Sequence, residues 1–255
     1  MSLRKLLLAA VLASPVLARA NPDLGLGNEE SLTYHVSWAV LPGVGSITVN
    51  AGDVLGPAGK PMLRVVTRTA TRGLAHLILP FEANAESLFD KESERLLWLS
   101  ETSTTRTKYQ SHTVAFDYPN SRAVYTEASS PPRNLPMPPG YPTDLITCLL
   151  HARTWDLKPG QARDALVLFE DEFYQLTVHA TGYESVDTPL GTFNTLVLEP
   201  RMEKTPPKGM FKRGSTVRVW VAQDARRLPV RFHVQFKFGS GVATLSAYRP
   251  PVEAK

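Results

Sequence analysis

The chain has 255 residues, with 28 Lys and Arg against 24 Asp and Glu and a hydrophobic share of 43 %. This length is ample for a buried hydrophobic core that needs no disulfide support. The formal net charge is only +4, and it provides no global electrostatic field that would gather nucleic acid. The composition therefore excludes a typical nucleic-acid-binding protein.

The first twenty residues have the pattern of a secretory signal peptide. Arg4 and Lys5 precede an apolar run over 6–13, and Ala18-Arg19-Ala20 supplies a cleavage motif. That run is far shorter than the roughly 20 residues needed to span a bilayer, and no later run is longer. No cysteine stands directly after the cleavage site, where a bacterial lipid anchor would be attached. We therefore predict a cleaved signal peptide over 1–20 and a periplasmic or secreted protein that does not span the membrane.

The remaining residues, 21–255, are predicted to form one β-rich domain. Loss of the leader removes three basic residues and leaves 25 against 24, so the mature chain is close to neutral. Cys148 is the only cysteine, which excludes an intrachain disulfide. Its leucine and isoleucine neighbours predict a buried, inert side chain rather than a catalytic thiol.

Most of this domain alternates between apolar and polar residues with a period of two, which is typical of antiparallel strands with one buried face. The clearest examples are 32–40, 216–221 and 230–238. Turn residues rich in Pro, Gly, Asn and Asp separate most of the shorter candidates. These shorter predicted strands are 45–51, 62–69, 82–90, 96–104, 111–118, 123–127, 166–168, 174–183 and 192–199.

The segment 73–81 is apolar without alternation and ends next to a proline. Two interpretations are open: a core element, either a helical turn or a buried strand, or a mobile flap over an apolar cavity. The flap is the functional hypothesis, since no other segment competes with it. The predicted cavity and flap residues are Trp38, Leu74, Leu77, Phe81 and Trp98.

One main helix is predicted over about 143–157. Thr143 or Asp144 can cap its start, and Pro159-Gly160 ends it. Ahead of it, 129–142 contains six prolines and is predicted to be a stiff connector within the domain. The predicted fold is mainly β: a large antiparallel curled sheet, a half-barrel or open β-barrel, with the helix on its concave side.

Catalytic motifs are sparse in this sequence. The six histidines are spread through the chain without metal-ligand spacing. Glu170 and Glu172 would share one strand face, as paired carboxylates do in glycosidases or calcium sites, but a solvated strand edge is the preferred explanation. We predict no catalytic residue, no metal site and no cofactor.

Several segments resemble the bacterial exported family known as domain of unknown function 3108. They are 27–38 with the following 42–45, 188–201, 219–230 and the helical 144–157. The similarity spans nearly the whole mature chain and consists mostly of turns and strand starts. It implies an exported β-rich fold similar to lipoprotein-carrier-type half-barrels, and it brings no catalytic residues.

Three functions are open at this point. The first is a non-enzymatic binding or carrier domain for an apolar or amphipathic envelope ligand, such as a lipid. The second is a scaffolding partner of another envelope protein, using strand edges or the connector 129–142. The third is a hydrolase of envelope glycans or peptides that uses Glu170, Asp171, Glu172 or a histidine cluster.

Overall fold

The computed structural model describes residues 25–39, 41–207, 211–212, 214–237 and 239–252. The predicted signal peptide lies outside the described residues. Two helices are present within these ranges, α1 (Gly73–Ile78) and α2 (Leu145–His151). The strands are β1 (Ser31–Trp38), β2 (Leu41–Leu55), β3 (Pro61–Thr71), β4 (Phe81–Asp90), β5 (Leu96–Thr105), β6 (Tyr109–Asp117), β7 (Arg122–Glu127), β8 (Ser130–Pro136), β9 (Thr143–Asp144), β10 (Ala162–Phe169), β11 (Glu172–Thr188), β12 (Gly191–Arg201), β13 (Thr216–Ala222), β14 (Pro229–Phe236) and β15 (Gly239–Arg249).

All fifteen strands form one curled sheet that does not close on itself. Its order is β8-β7-β6-β5-β4-β3-β2-β1-β15-β14-β13-β12-β11-β10-β9, so almost every strand pairs with its neighbour in sequence. The pairing of β1 with β15 joins the first and last strands at the middle of the sheet. Strands β8 and β9 are the two edges. The predicted fold class, a mainly β open barrel with one main helix, is confirmed.

Helix α2 lies against the inner face of the sheet. Leu150 belongs to one apolar cluster with residues of β1 to β5 and β11 to β15, whereas Leu145, Cys148 and Leu149 belong to a second with β10 to β13. The helix is therefore covered on several sides. Burial raises the pKa of the Cys148 thiol to about 12, with a further contribution from the Asp144 carboxylate.

The main helix is shorter than the predicted range of about 143–157. Asp144 caps its start, because its Oδ1 accepts a hydrogen bond from the Thr147 amide at 2.8 Å. Helix α2 ends at His151 and continues as one turn of 3-10 helix, Ala152–Thr154. The chain then becomes extended, which places the buried ring of Trp155 in the second apolar cluster. Among the described residues no helix is long and apolar enough to cross a bilayer.

Every strand predicted from the periodicity is present, but three strands of the sheet were not predicted. Part of the proline-rich connector forms edge strand β8, which pairs with β7. Strand β9 has only two residues and runs parallel to β10. Strand β15 begins Gly-Ser-Gly, and its small residues obscure the period-two pattern. Helix α1 covers residues 73–78 of the apolar segment 73–81 and buries none of its own residues, and Phe81 begins β4.

Candidate functional site

A cavity of about 690 Å³ lies between the inner face of β3 to β8 on one side and α2 with the β10–β11 turn on the other. This volume is within the range of small-molecule sites, roughly 300–1,000 Å³. The cavity lies beside the opening between edge strands β8 and β9, where the sheet does not close. Its position gives a small molecule a route to the inner face.

The strand register explains why a space remains here. One cross-strand row on the inner face contains Ala85, Glu101, His112 and Glu127, which are opposite one another on β4 to β7. The next row contains Ala83, Ser103 and Gln110. Large apolar side chains fill the equivalent positions two residues away, in the row Leu99, Val114 and Tyr125. Small and polar residues therefore leave unfilled volume just beyond this apolar cluster.

The cavity has an apolar part and a polar part. Its apolar lining comes from two alanines of β4 and from larger side chains on β4 and three other elements. These larger side chains are Phe81, Tyr125, Ile146 and Phe169. The polar part contains Glu101, His112, Glu127, Arg133 and the two residues of the β10–β11 turn. Such a lining suits an amphipathic molecule better than a purely apolar one.

Glu101 and His112 form the most strongly perturbed pair of titratable groups in the cavity. Nε2 of His112 lies 3.5 Å from Oε2 of Glu101, and within the described part of the chain it makes no hydrogen bond. Burial raises the pKa of Glu101 to about 7, and the charges of Asp144 and Glu170 add to the effect. Burial also lowers the pKa of His112. Near neutral pH the Glu101 carboxyl is therefore only partly ionised, beside an imidazole that favours its neutral form.

The β10–β11 turn brings two further carboxylates to the cavity. Phe169 pairs with Glu172, so Glu170 and Asp171 are the turn itself, and Glu170 adopts a left-handed conformation with φ of +57°. The expectation that Glu170 and Glu172 share a strand face was wrong, because the chain reverses between them. Glu172 instead accepts a hydrogen bond from the Tyr174 hydroxyl at 2.5 Å.

An ion pair joins this turn to edge strand β8. Nη2 of Arg133 lies 2.9 Å from Oδ2 of Asp171, and the guanidinium also covers the Tyr125 ring at 4.8 Å. The pair spans the gap between the two ends of the sheet. Both partners are substantially exposed, so the pair contributes at most about 1 kcal/mol to stability. It can open without a large cost.

Only one of the five residues predicted for the cavity and flap lines this cavity. Phe81 forms part of its apolar wall at the start of β4. Leu74 and Leu77 project from α1 into solvent. Trp38 lies at the same end of the sheet as α1 but stacks on Phe236, with ring centroids 5.9 Å apart.

The fifth predicted residue, Trp98, lies on the opposite face of β5 from the cavity. Leu99 and Glu101 point inward, so strand alternation directs Trp98 outward. Glu170 and Asp171 were named among the hydrolase candidates and do line the cavity, whereas Glu101, Glu127 and Arg133 were missed because their assembly depends on strand register. The available sequence signal was the set of small inner-face residues, Ala83, Ala85 and Ser103, at alternate positions on two neighbouring strands.

The fold and the inner cavity place this chain in the class of β-barrel-like proteins built from one long antiparallel sheet. Residues 33–246 match the model of the family described as protein of unknown function DUF3108. The chain belongs to that family, as the resemblance implied. No sequence among the curated proteins matches it significantly.

A solved structure supports the same fold. A β-barrel-like protein of domain of unknown function DUF1849 from Brucella abortus is similar at a TM-score of 0.55 and 7 % identity, covering 88 % of this chain and 99 % of that one. A second structure is that of a candidate exported protein with a YmcC-like fold from Bacteroides fragilis. It has a TM-score of 0.34 and 11 % identity, covering 87 % of this chain and 96 % of that one. Because its TM-score exceeds 0.5, the first likeness supports an argument, and at 7 % identity this argument concerns the fold alone.

Proposed function

We propose that this protein is an exported, non-enzymatic binding or carrier domain for an amphipathic ligand of the cell envelope. The observation that supports this most directly is the inner-face cavity of about 690 Å³, with its apolar wall and polar end. An acyl or alkyl chain gains about 0.8 kcal/mol for each CH₂ group that it buries. Even a partly open cavity of this kind would hold such a chain.

The charges of the cavity indicate which polar group the ligand carries. Four carboxyl groups line it, those of Glu101, Glu127, Glu170 and Asp171, of which Glu101, with a pKa of about 7, is only partly ionised near neutral pH. Only Arg133 supplies a permanent positive charge, and Asp171 already pairs with it. His112 does not compensate, because burial lowers its pKa. A ligand with an ammonium group would relieve this excess of negative charge, so the proposed ligand is a cationic or zwitterionic amphiphile.

A cavity-filling variant tests the proposal. Ala85→Leu adds bulk beside Glu101 on the inner face and is expected to abolish ligand binding. Ala115→Leu is the matched control, because Ala115 is exposed on β6 opposite Trp98, on the outer face. Native mass spectrometry of protein purified from its own host should detect a bound amphiphile in the wild type and the control, but not in Ala85→Leu.

Defined probes separate the contribution of the head group from that of the chain. Dodecylamine is expected to bind at least tenfold more tightly than dodecanoate, since only the amine complements the carboxylates. Glu101→Gln should reduce this preference without abolishing binding. Equal affinity for the two probes would contradict the proposed head group, and absence of binding by both would contradict the carrier function.

A second candidate function, hydrolysis of envelope glycans or peptides, is favoured by the Glu101–His112 pair. A carboxyl group with a pKa of about 7 next to a neutral imidazole suits general acid–base catalysis. Turnover of a glycan or peptide library that is lost in both Glu101→Gln and His112→Gln would support this function. Recovery of an intact ligand, with no turnover, favours the carrier.

A scaffolding role through the edge strand is the third candidate. Strand β8 pairs only with β7 among the described strands, but Pro131, Pro132 and Pro136 remove three of its amide donors. Prolines at a sheet edge oppose the addition of a further strand. The edge therefore supports scaffolding less well than the cavity supports binding.

A further inference from the structure

Helix α1 and the residue after it present four exposed aliphatic side chains within six residues. Leu74, Leu77, Ile78 and Leu79 are between 67 % and 79 % exposed, and α1 has no buried residue. We call these four residues the α1 apolar patch. Apolar side chains are common on surfaces singly, but a contiguous group of this kind marks an interaction site.

Polar contacts, not apolar packing, hold the patch in this position. The Thr71 hydroxyl accepts a hydrogen bond from the Phe81 amide at 2.9 Å and lies 3.0 Å from the Leu79 carbonyl oxygen, to which it can donate. Nη2 of Arg106 donates to the Leu77 carbonyl oxygen at 2.7 Å. The backbone of α1 is thus fixed to the rim of the sheet while its leucines face outward. These hydrogen bonds hold the segment in its exposed position, which would not be expected of a segment that belongs in the core.

Positive charges and an aromatic ring surround the patch. Arg72 precedes α1, and the β5–β6 turn that contacts it carries Arg106 and Lys108. Among the described residues none of these three cations forms an ion pair. The adjacent Tyr109 is 66 % exposed. The acidic residue near the patch is Glu82 of β4, which lies opposite Ala70 of β3 and Thr104 of β5 and so has no cation as a cross-strand neighbour. Aliphatic side chains flanked by Arg, Lys and Tyr are the arrangement that an anionic bilayer surface favours.

We propose that α1 docks the protein onto an anionic phospholipid bilayer. The four aliphatic side chains enter the acyl region, while Arg72, Arg106 and Lys108 contact lipid phosphates. A protein partner suits the patch less well. One helical turn buries only a few hundred Å², against the roughly 1,000 Å² that a specific protein interface needs. Docking at the rim would also place Phe81, and so the cavity, close to the membrane.

Vesicle flotation tests this proposal. Residues 21–255 should float with vesicles of phosphatidylglycerol and phosphatidylcholine, and much less with phosphatidylcholine alone. Leu74→Glu combined with Leu77→Glu should abolish flotation. Leu55→Glu is the matched control, since Leu55 is 79 % exposed but lies at the opposite end of β2. Lys108→Glu should weaken binding about thirtyfold, and high salt should weaken the wild type similarly.

A second measurement does not depend on variants that disturb the helix. In the Leu77→Cys variant the new thiol can be labelled selectively, because Cys148 is buried and does not react. A nitrobenzoxadiazole label at position 77 should shift its emission to the blue on addition of anionic vesicles. No shift, or equal loss of flotation in Leu55→Glu, would overturn the proposal. A complex with a protein through α1, without affinity for protein-free vesicles, would overturn it as well.

Membrane docking by α1 and ligand binding in the cavity can be tested independently. Ala85→Leu blocks the cavity and leaves α1 unchanged, so this variant should still float with anionic vesicles. Loss of flotation in Ala85→Leu would mean that vesicle binding depends on the cavity, and it would contradict docking by α1.

Discussion

At the scale of single residues, the fold shifts the pKa of Glu101 far enough to change how stability depends on pH. Burial first, and then the charges of Asp144 and Glu170, raise its pKa from 4.5 to about 7. Between these two values the folded protein binds more protons at this site than the unfolded chain. The contribution of Glu101 to stability therefore falls as the pH rises from about 4.5 to 7.

Glu101→Gln should remove this penalty. We expect the variant to be more stable than the wild type at pH 8, by on the order of 1 kcal/mol, because the side chain is 38 % exposed and solvent screens part of the effect. At pH 4 the two proteins should have similar stability. Urea unfolding at both pH values measures the difference.

His112→Gln provides a control with the opposite sign. Burial lowers the pKa of His112, because the charged imidazole is disfavoured in the folded protein. As the pH falls and the imidazole of the unfolded chain becomes protonated, the folded state loses stability relative to the unfolded chain. This variant should therefore gain stability relative to the wild type in acid, not at pH 8. A stability gain for Glu101→Gln that is equal at pH 4 and pH 8 would contradict the raised pKa.

The sequence predicts single residues well where their own neighbours determine the outcome. Cys148 was expected to be buried and inert from its apolar neighbours, and it is buried with a raised pKa. Glu101 and His112 were not singled out, because each is an ordinary polar residue of an alternating strand. Their meeting depends on the β5–β6 register, which local periodicity does not determine.

At the scale of elements, helix α2 depends on a buried cap. Oδ2 of Asp144 accepts hydrogen bonds from the hydroxyls of Ser87, at 2.8 Å, and Thr147, at 2.6 Å, while Oδ1 caps the helix. One carboxylate thus joins α2 to β4. Asp144→Ala should cost about 2–4 kcal/mol, since it removes the cap and leaves two buried hydroxyls without an acceptor.

Asp144→Asn is the matched variant. Asparagine caps helices about as well as aspartate, and its amide can donate to hydroxyls that rotate to accept. Its cost should be less than half that of Asp144→Ala in thermal or urea unfolding. Equal costs for the two variants would mean that the negative charge, not the cap, stabilises this end of α2.

Element boundaries were predicted where the period-two pattern is strong and missed where residue type hides it. Strand β14 reads as alternating from its sequence alone. No alternating pattern is visible in β15, which has glycines and small residues, or in β8, which has prolines. Both are nevertheless strands, because β15 pairs with β1 and β8 pairs with β7. Helix α2 ends early because Trp155 gains more from burial in the core than from another helical turn.

At the scale of the whole molecule, one buried ion pair links distant parts of the chain. Glu30, directly before β1, is 1 % exposed, and its Oε1 lies 2.8 Å from Nη1 of Arg153, in the 3-10 turn after α2. Arg227, in the β13–β14 turn, donates to the Arg153 carbonyl at 2.6 Å and to that of Trp155 at 2.8 Å. The middle of the sheet, the inner helix and a hairpin turn thus share one polar network.

Glu30→Gln should destabilise the protein by about 3–5 kcal/mol, because it leaves the largely buried guanidinium of Arg153 without its counter-charge. Asp53→Asn is the control, since it breaks the exposed Lys91–Asp53 pair and should cost less than about 1 kcal/mol. Urea unfolding with an unchanged slope would assign the loss to the folded state. If the two variants cost the same, the Glu30–Arg153 pair is no stronger than a surface contact, and hydrophobic burial alone fixes α2 inside the sheet.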